Sequence, residues 1–270
     1  MDNLRDTPIL DHSINEASVF LPDNLLSRSA TMLGKKRGNI PLCCVLDFDG
    51  ELLPVAKRFY KAILCESWSC FHTNLFTISS RGIEMGLIGG TVGAPFAVLI
   101  AEQLIASGCR HIIGYSSAGA IADNLSLPCL VVPNRGLRDE GVSYHYLPPS
   151  KWVDVNVQLP RILLQHALSI GLPLHSGPTW TTDAPYRETQ SQIEQHRRDG
   201  ILTVEMEAAA LMALSNVCNV EIASLLHVTN TLATSGHDFH KGPEDIHQRI
   251  LHCCLTTFAE VLKVKEKEVV

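Results

Sequence analysis

The feature that most constrains this chain is a regular alternation. Apolar runs of strand length are followed, again and again, by stretches with helical spacing. Ile40–Leu46 is an apolar run closed by the turn Asp47-Phe48-Asp49-Gly50, and Glu51–Cys65 then carries Leu52, Val55, Phe59 and Ile63 at helical intervals. Leu75–Ser79 and Met85–Ile88 read as strands. The glycine-rich turn Gly89–Gly93 leads into an apolar helix over Ala94–Ser107, stopped by Gly108. His111–Tyr115 and Cys129–Val132 read as short buried strands.

The second half continues the pattern. Leu159–Ile170 is helical, Pro178–Thr182 a strand, Glu188–Arg198 a charged helix and Leu202–Val204 a strand. Glu205–Asn216 follows as an Ala-rich helix, then a strand over Glu221–Val228, a polar loop over Asn230–Gly242 and a closing helix over Glu244–Lys263. Strands alternating with helices predict a largely parallel or mixed central sheet covered on both faces. Residues 1–39, with weak periodicity and several turn formers, read as an arm. Residues 40–270 read as one domain, since no linker-like segment or repeat divides them.

A net charge of −6 offers no basic field for a nucleic-acid backbone. Neither a signal peptide nor an apolar run of the roughly 18 residues that span a membrane is read from the chain. Nine cysteines, with adjacent pairs at Cys43–Cys44 and Cys253–Cys254 and no C-x-x-C spacing, read as reduced core thiols of a cytoplasmic protein. The spacing His237-Asp238-Phe239-His240 permits metal binding, but no motif supplies a third ligand, so the expectation is no metal and no bound cofactor.

In open α/β sheets, ligands gather at the carboxyl ends of the strands. Three strings fall there. In Val204-Glu205-Met206-Glu207-Ala208-Ala209-Ala210, two carboxylates flank a methionine where a strand becomes a helix. They read either as first-turn acids favoured by the helix dipole or as a ribose site, in which a carboxylate accepts sugar hydroxyls and stabilises the cation that grows as a glycosidic bond stretches. Thr179–Thr189 ends a strand in a loop. There Tyr186 is suited to stacking on a base and Arg187 to a base carbonyl, unless Arg187 is simply a surface residue. Arg138–Ser150 is a dense polar and aromatic string of the kind found at functional loops or oligomer contacts.

Together with Gly93-Ala94-Pro95 and Ser117-Ala118-Gly119-Ala120, these strings resemble the phosphorylase superfamily of nucleoside phosphorylases. The likeness is to its uridine phosphorylase-like branch and the related purine phosphorylases, and Pro8–Asp11 through Val19–Pro22 resembles the arm of that branch. The resemblance implies a three-layer α/β/α sandwich around a mixed sheet, in homodimers or hexamers. It also implies cleavage of a nucleoside by inorganic phosphate as co-substrate, giving free base and ribose 1-phosphate. By position it makes Glu207 the residue that grips the sugar hydroxyls, with Glu205 and Met206 beside it, and places Ser117 at phosphate and sugar and Gly119 along the base. Thr182, Asp183, Tyr186 and Arg187 fall in the base pocket.

Two departures from the family pattern matter. Asn230 stands where purine-specific relatives carry an aspartate. An amide donates a hydrogen bond but gives up no proton, which favours a uridine-like nucleoside over a 6-oxopurine. The family's phosphate-binding arginines are missing as well: the first turn is Asp47-Phe48-Asp49-Gly50, and Gly114 stands at the second arginine position. Gly93, Ser117 and Arg138 are the candidates to hold phosphate, with Lys57 and Arg58 as possible substitutes. If none serves, water becomes the nucleophile, or the chain binds nucleoside without turnover.

Overall fold

A computed structural model describes residues 7–80, 82–231 and 241–268. Ten strands form one mixed sheet: β1 (Cys43–Asp47), β2 (Ile63–Leu64), β3 (Phe76–Ser80), β4 (Ile83–Gly89), β5 (His111–Ala120), β6 (Cys129–Asp139), β7 (Trp152–Asp154), β8 (Leu174–Thr182), β9 (Thr203–Glu205) and β10 (Glu221–Thr231). β1 lies parallel between β4 and β5, and β3 and β2 extend that edge antiparallel. On the other side β5, β10, β6, β8 and β9 each pair with the next, and β9 returns to β5, so five strands close into a ring.

Helices cover both faces, as the alternation predicts. α2 (Leu52–Tyr60), α4 (Leu159–Ala167) and α7 (Ile246–Glu268) pack Leu52, Leu163, Ile250 and Phe258 against Val45, Ile113 and Leu225. α1 (Pro22–Leu33), α3 (Ala94–Ala106) and α6 (Ala208–Cys218) pack Leu26, Ala97, Leu104, Leu211 and Leu214 against Cys44, Leu46 and Ile112 on the opposite face. α5 (Gln190–Arg198) is held at its start by a capping box between Thr189 and Gln192.

The structure differs from the sequence reading in five elements. The arm contains α1, opened by Pro22 and closed by Gly34 in the left-handed region. Its weak apolar periodicity reflects the few residues it buries, Leu26, Ser29 and Ala30. β5 and β6 run on to Ala120 and Asp139, beyond the apolar runs, because ring closure supplies ladder partners to polar residues. Finally, β2 and β7 have only two and three residues, too few for a periodicity to show.

Candidate active site

The turns after β1, β4 and β9 meet the outer part of β5 at the carboxyl edge of the sheet, with Glu207 buried among them. Glu207 is the N-cap of α6. Its side chain is 1% exposed. One carboxylate oxygen accepts the Gly93 backbone N–H at 2.6 Å, and the other accepts the Ser116 hydroxyl at 3.3 Å. Gly93 has φ +93° and N-caps α3, a backbone conformation that suits glycine and aims its N–H across to α6. Burial, then the neighbouring Glu205 carboxylate, push the Glu207 acid well above the usual carboxylate range. The Gly93 N–H pulls the other way, and Asp49 adds to the rise.

Glu205 does a different job. Its carboxylate accepts the backbone N–H groups of Glu207 at 2.7 Å and Ala208 at 2.6 Å, and the Thr181 hydroxyl at 2.5 Å. Thr181 in turn accepts the Ala209 N–H at 2.9 Å. These bonds satisfy the donors that open α6 and fix the helix start on β8. Glu205 thus positions Glu207, and burial raises its own acid too. Met206, between the two, is half-buried.

Ser117 and Gly119 follow Ser116 along β5. The Ser117 backbone N–H donates to Asp49 Oδ2 at 2.7 Å, and both residues are exposed. Gly119 pairs with Asn230 on β10, just past an irregularity after Val228, which sets the two residues side by side near the ends of their strands. Asn230 is half-buried.

The base-pocket string divides. Thr182 is buried, and its hydroxyl accepts the Ala184 N–H at 3.2 Å. Asp183 accepts the Gly141 N–H at 2.8 Å, tying this loop to the string after β6. Tyr186 is 99% exposed and Arg187 is exposed, so neither closes over Glu207 here.

The cations considered for phosphate are engaged elsewhere. The Arg138 guanidinium is buried in its own loop, where it donates to Ser143, Ser150 and the Leu147 and Pro148 carbonyls and lies over the Tyr144 ring. That arrangement makes Arg138 the pin of the 138–150 string. Lys57 lies over Phe76, and Arg58 over Phe59. Gly93, also considered for phosphate, gives its N–H to Glu207. In the same string His145 stacks on His12 of the arm, with ring centroids 4.6 Å apart.

Sequence reasoning missed three residues: Ser116, Thr181 and the role of Asp49. Ser116 carried a signal, because alternation along β5 turns it to the face opposite Ser117. The other two depend on pairings between distant strands. The His237–His240 spacing lies outside the described residues. Among the described residues no group of three potential metal ligands gathers, and no helix is long and apolar enough to cross a membrane. Four cavities, one of them about 1020 Å³, are lined by residues other than Glu207.

A mixed sheet between two helical layers, with a buried acid at a helix head on its carboxyl edge, defines an α/β protein that holds an acidic group away from water where ligands gather in such sheets. The chain belongs to the phosphorylase superfamily, whose model matches residues 41–262. It is similar to a protein named uridine phosphorylase from Thermococcus kodakarensis, with 24% identity over 221 residues, 74% of this chain and 79% of that one. It is also similar to proteins named purine nucleoside phosphorylase DeoD-type. The protein from Bacillus cytotoxicus is 23% identical over 205 residues, 74% of this chain and 86% of its own. The protein from Myxococcus xanthus is 27% identical over 161 residues, 59% and 67%. The chain is accordingly an enzyme of the pentosyltransferase class, within the nucleoside phosphorylase family.

Proposed function

We propose that the chain cleaves the N-glycosidic bond of a nucleoside, with uridine-like nucleosides favoured, and passes the pentose to an oxygen acceptor. The observation that carries this reading is the buried Glu207 carboxylate, held between the Gly93 N–H and the Ser116 hydroxyl. Ribose hydroxyls entering there replace those two donors. The carboxylate then faces an anomeric carbon that becomes cationic as the bond to the base stretches, and in a site from which water is excluded this attraction is strong.

The base lies along Gly119 in this reading. Asn230 donates a hydrogen bond to it, and Tyr186 and Arg187 swing in from their exposed positions. An amide at 230 suits uracil, which leaves as a stabilised anion and needs no proton donor. Phosphate is the acceptor expected of the family, and with it the products are free base and ribose 1-phosphate. Water is a second reading, favoured by the Asp49 carboxylate on the Ser117 N–H. The assembly is a homodimer or hexamer, supported by exposed Val19, Phe20 and Met32 on the arm and α1. A cytoplasmic location is supported by nine free thiols.

Uridine and inosine incubated with the protein, with and without phosphate, test the reading. It expects base release that is faster from uridine. Ligand-dependent thermal stabilisation without any base release contradicts it and marks a binding protein.

A further inference from the structure

We infer that Ser116 selects the sugar. Its hydroxyl fills the place beside Glu207 that a 2′-hydroxyl needs, so the pentose favoured is 2-deoxyribose. This inference rests on the proposed glycosidic cleavage at Glu207.

Ser116 stands on β5 and is 5% exposed. Its hydroxyl donates to the Ser117 carbonyl at 2.8 Å and to Glu207 Oε2 at 3.3 Å. The shorter bond, made within the strand, holds the side chain in place. On Glu207 Oε1 the donor is the Gly93 N–H at 2.6 Å. The carboxylate therefore sits between two walls, β5 on one side and the head of α3 on the other. Hydroxyls on two neighbouring sugar carbons reach it by coming between the carboxylate and each wall.

The walls differ in how they yield. β5 is paired with β10 at Ser116, opposite Leu226, and with β1 as far as Tyr115. Ladders on both sides fix its position, and moving it breaks backbone hydrogen bonds. Gly93 ends a glycine-rich turn at φ +93° and N-caps α3. Glycine backbone has the freedom to re-aim its N–H. A hydroxyl entering on that side accepts the Gly93 N–H and donates to Oε1, so no group is left unpaired.

The orientation of the sugar decides which hydroxyl meets which wall. With the base along Gly119, farther along β5, the anomeric carbon is the sugar carbon nearest this strand. The carbon beside it carries the 2′-hydroxyl, which meets Ser116, and the 3′-hydroxyl falls on the Gly93 side. A ribonucleoside must turn Ser116 off the Ser117 carbonyl or leave its 2′-hydroxyl unpaired, and an unpaired buried polar group is costly. A 2′-deoxynucleoside places a CH2 group there. It leaves both bonds of Ser116 intact and still gives its 3′-hydroxyl to Glu207.

The test uses the full chain with inorganic phosphate and compares kcat/KM for uridine and inosine with their 2′-deoxy and 3′-deoxy forms. The wild type is expected to favour the 2′-deoxy form over the ribonucleoside by about tenfold or more, and to be slowest on the 3′-deoxy form. Ser116→Ala and Ser116→Gly free Oε2 for a 2′-hydroxyl, so this preference shrinks by about tenfold or more through faster base release from the ribonucleoside. The intrinsic reactivities of the nucleosides cancel in the comparison of variant with wild type. Circular dichroism checks that the variants are folded, and the wild-type preference is read without them.

A wild type that cleaves the ribonucleoside as fast as its 2′-deoxy form, or faster, overturns the inference and leaves glycosidic cleavage standing. A preference that stays within about threefold of wild type in the folded variants overturns the role of Ser116. A 3′-deoxy form cleaved faster than the 2′-deoxy form overturns the assignment of the two walls. No base release from any of these nucleosides overturns the proposed function and the inference with it.

Discussion

At the scale of single residues, Glu205 and Glu207 divide one task. In the proposed reaction Glu207 carries the charge the chemistry needs, and Glu205 builds the helix start that aims it. The division predicts a pH profile. Glu207 must be ionised to accept sugar hydroxyls and to stabilise a cation, and burial with the neighbouring Glu205 charge raises its acid well above the ordinary value of 4.5. The rate of base release therefore climbs with pH on a limb lying well above 4.5 and falls away as pH drops through it. Glu205→Gln removes the like charge and moves that limb to lower pH, a shift read from kcat/KM against pH. Glu205→Ala strips the acceptor from two backbone N–H groups and the Thr181 hydroxyl, and is expected to cost about 2 kcal/mol in denaturant unfolding. The acidic pair at the strand-to-helix junction was legible in the sequence, because residues 204–210 place two carboxylates where an apolar strand becomes an Ala-rich helix. That the Glu205 carboxylate takes the N–H groups that open α6 was not legible, because it depends on the Thr181 contact made by another strand.

At the scale of elements, α6 has to lie close on β6 for Glu207 to sit where it does. Gly136 on β6 permits this approach: a Cβ there would meet the Ala209 Cβ at 2.9 Å and its Cα at 3.0 Å. Gly136→Ala pushes the helix off the sheet. It is expected to destabilise by about 1–3 kcal/mol and to lower base release more than a distant substitution of equal stability cost, which paired unfolding and kinetic measurements check. On the other face, His227 on β10 is buried and its Nδ1 shares a hydrogen bond with the Tyr115 hydroxyl at 3.2 Å. Burial lowers its pKa to about 4. The unfolded chain then binds the proton more tightly between pH 6.5 and 4, so this group's contribution to stability is lost as pH falls through that window. Relative to His227→Gln, the wild type should lose on the order of 2 kcal/mol more across it, as read from unfolding midpoints at each pH. The alternation of strands and helices showed in the sequence because each element's burial is written in its own spacing. The lengths of β5 and β6 and the helix in the arm did not show, since they depend on partners far away in the chain.

At the scale of the molecule, the sheet closes partly into a ring and carries two separate cores, one under α2, α4 and α7 and one under α1, α3 and α6. The site lies where turns from both halves of the chain meet at the ring's rim. The layered architecture was readable from alternation, and the family from strings spread over most of the chain. The acceptor's surroundings were not, because they depend on which backbone donors are already taken. Val19 (98% exposed), Phe20 (67%) and Met32 (66%) leave apolar surface outside both cores. Light scattering on a sizing column should therefore give at least twice the 29.6 kDa chain mass, and a monomer at micromolar concentration contradicts the assembly proposed. The central claim is that the Glu207 carboxylate carries glycosidic cleavage, and the rate of base release by Glu207→Gln on the best nucleoside tests it most directly. The variant keeps the size and the Gly93 contact while losing the charge. A fall of about 100-fold or more with the unfolding midpoint nearly unchanged is the predicted result, and a rate within about threefold of wild type contradicts it.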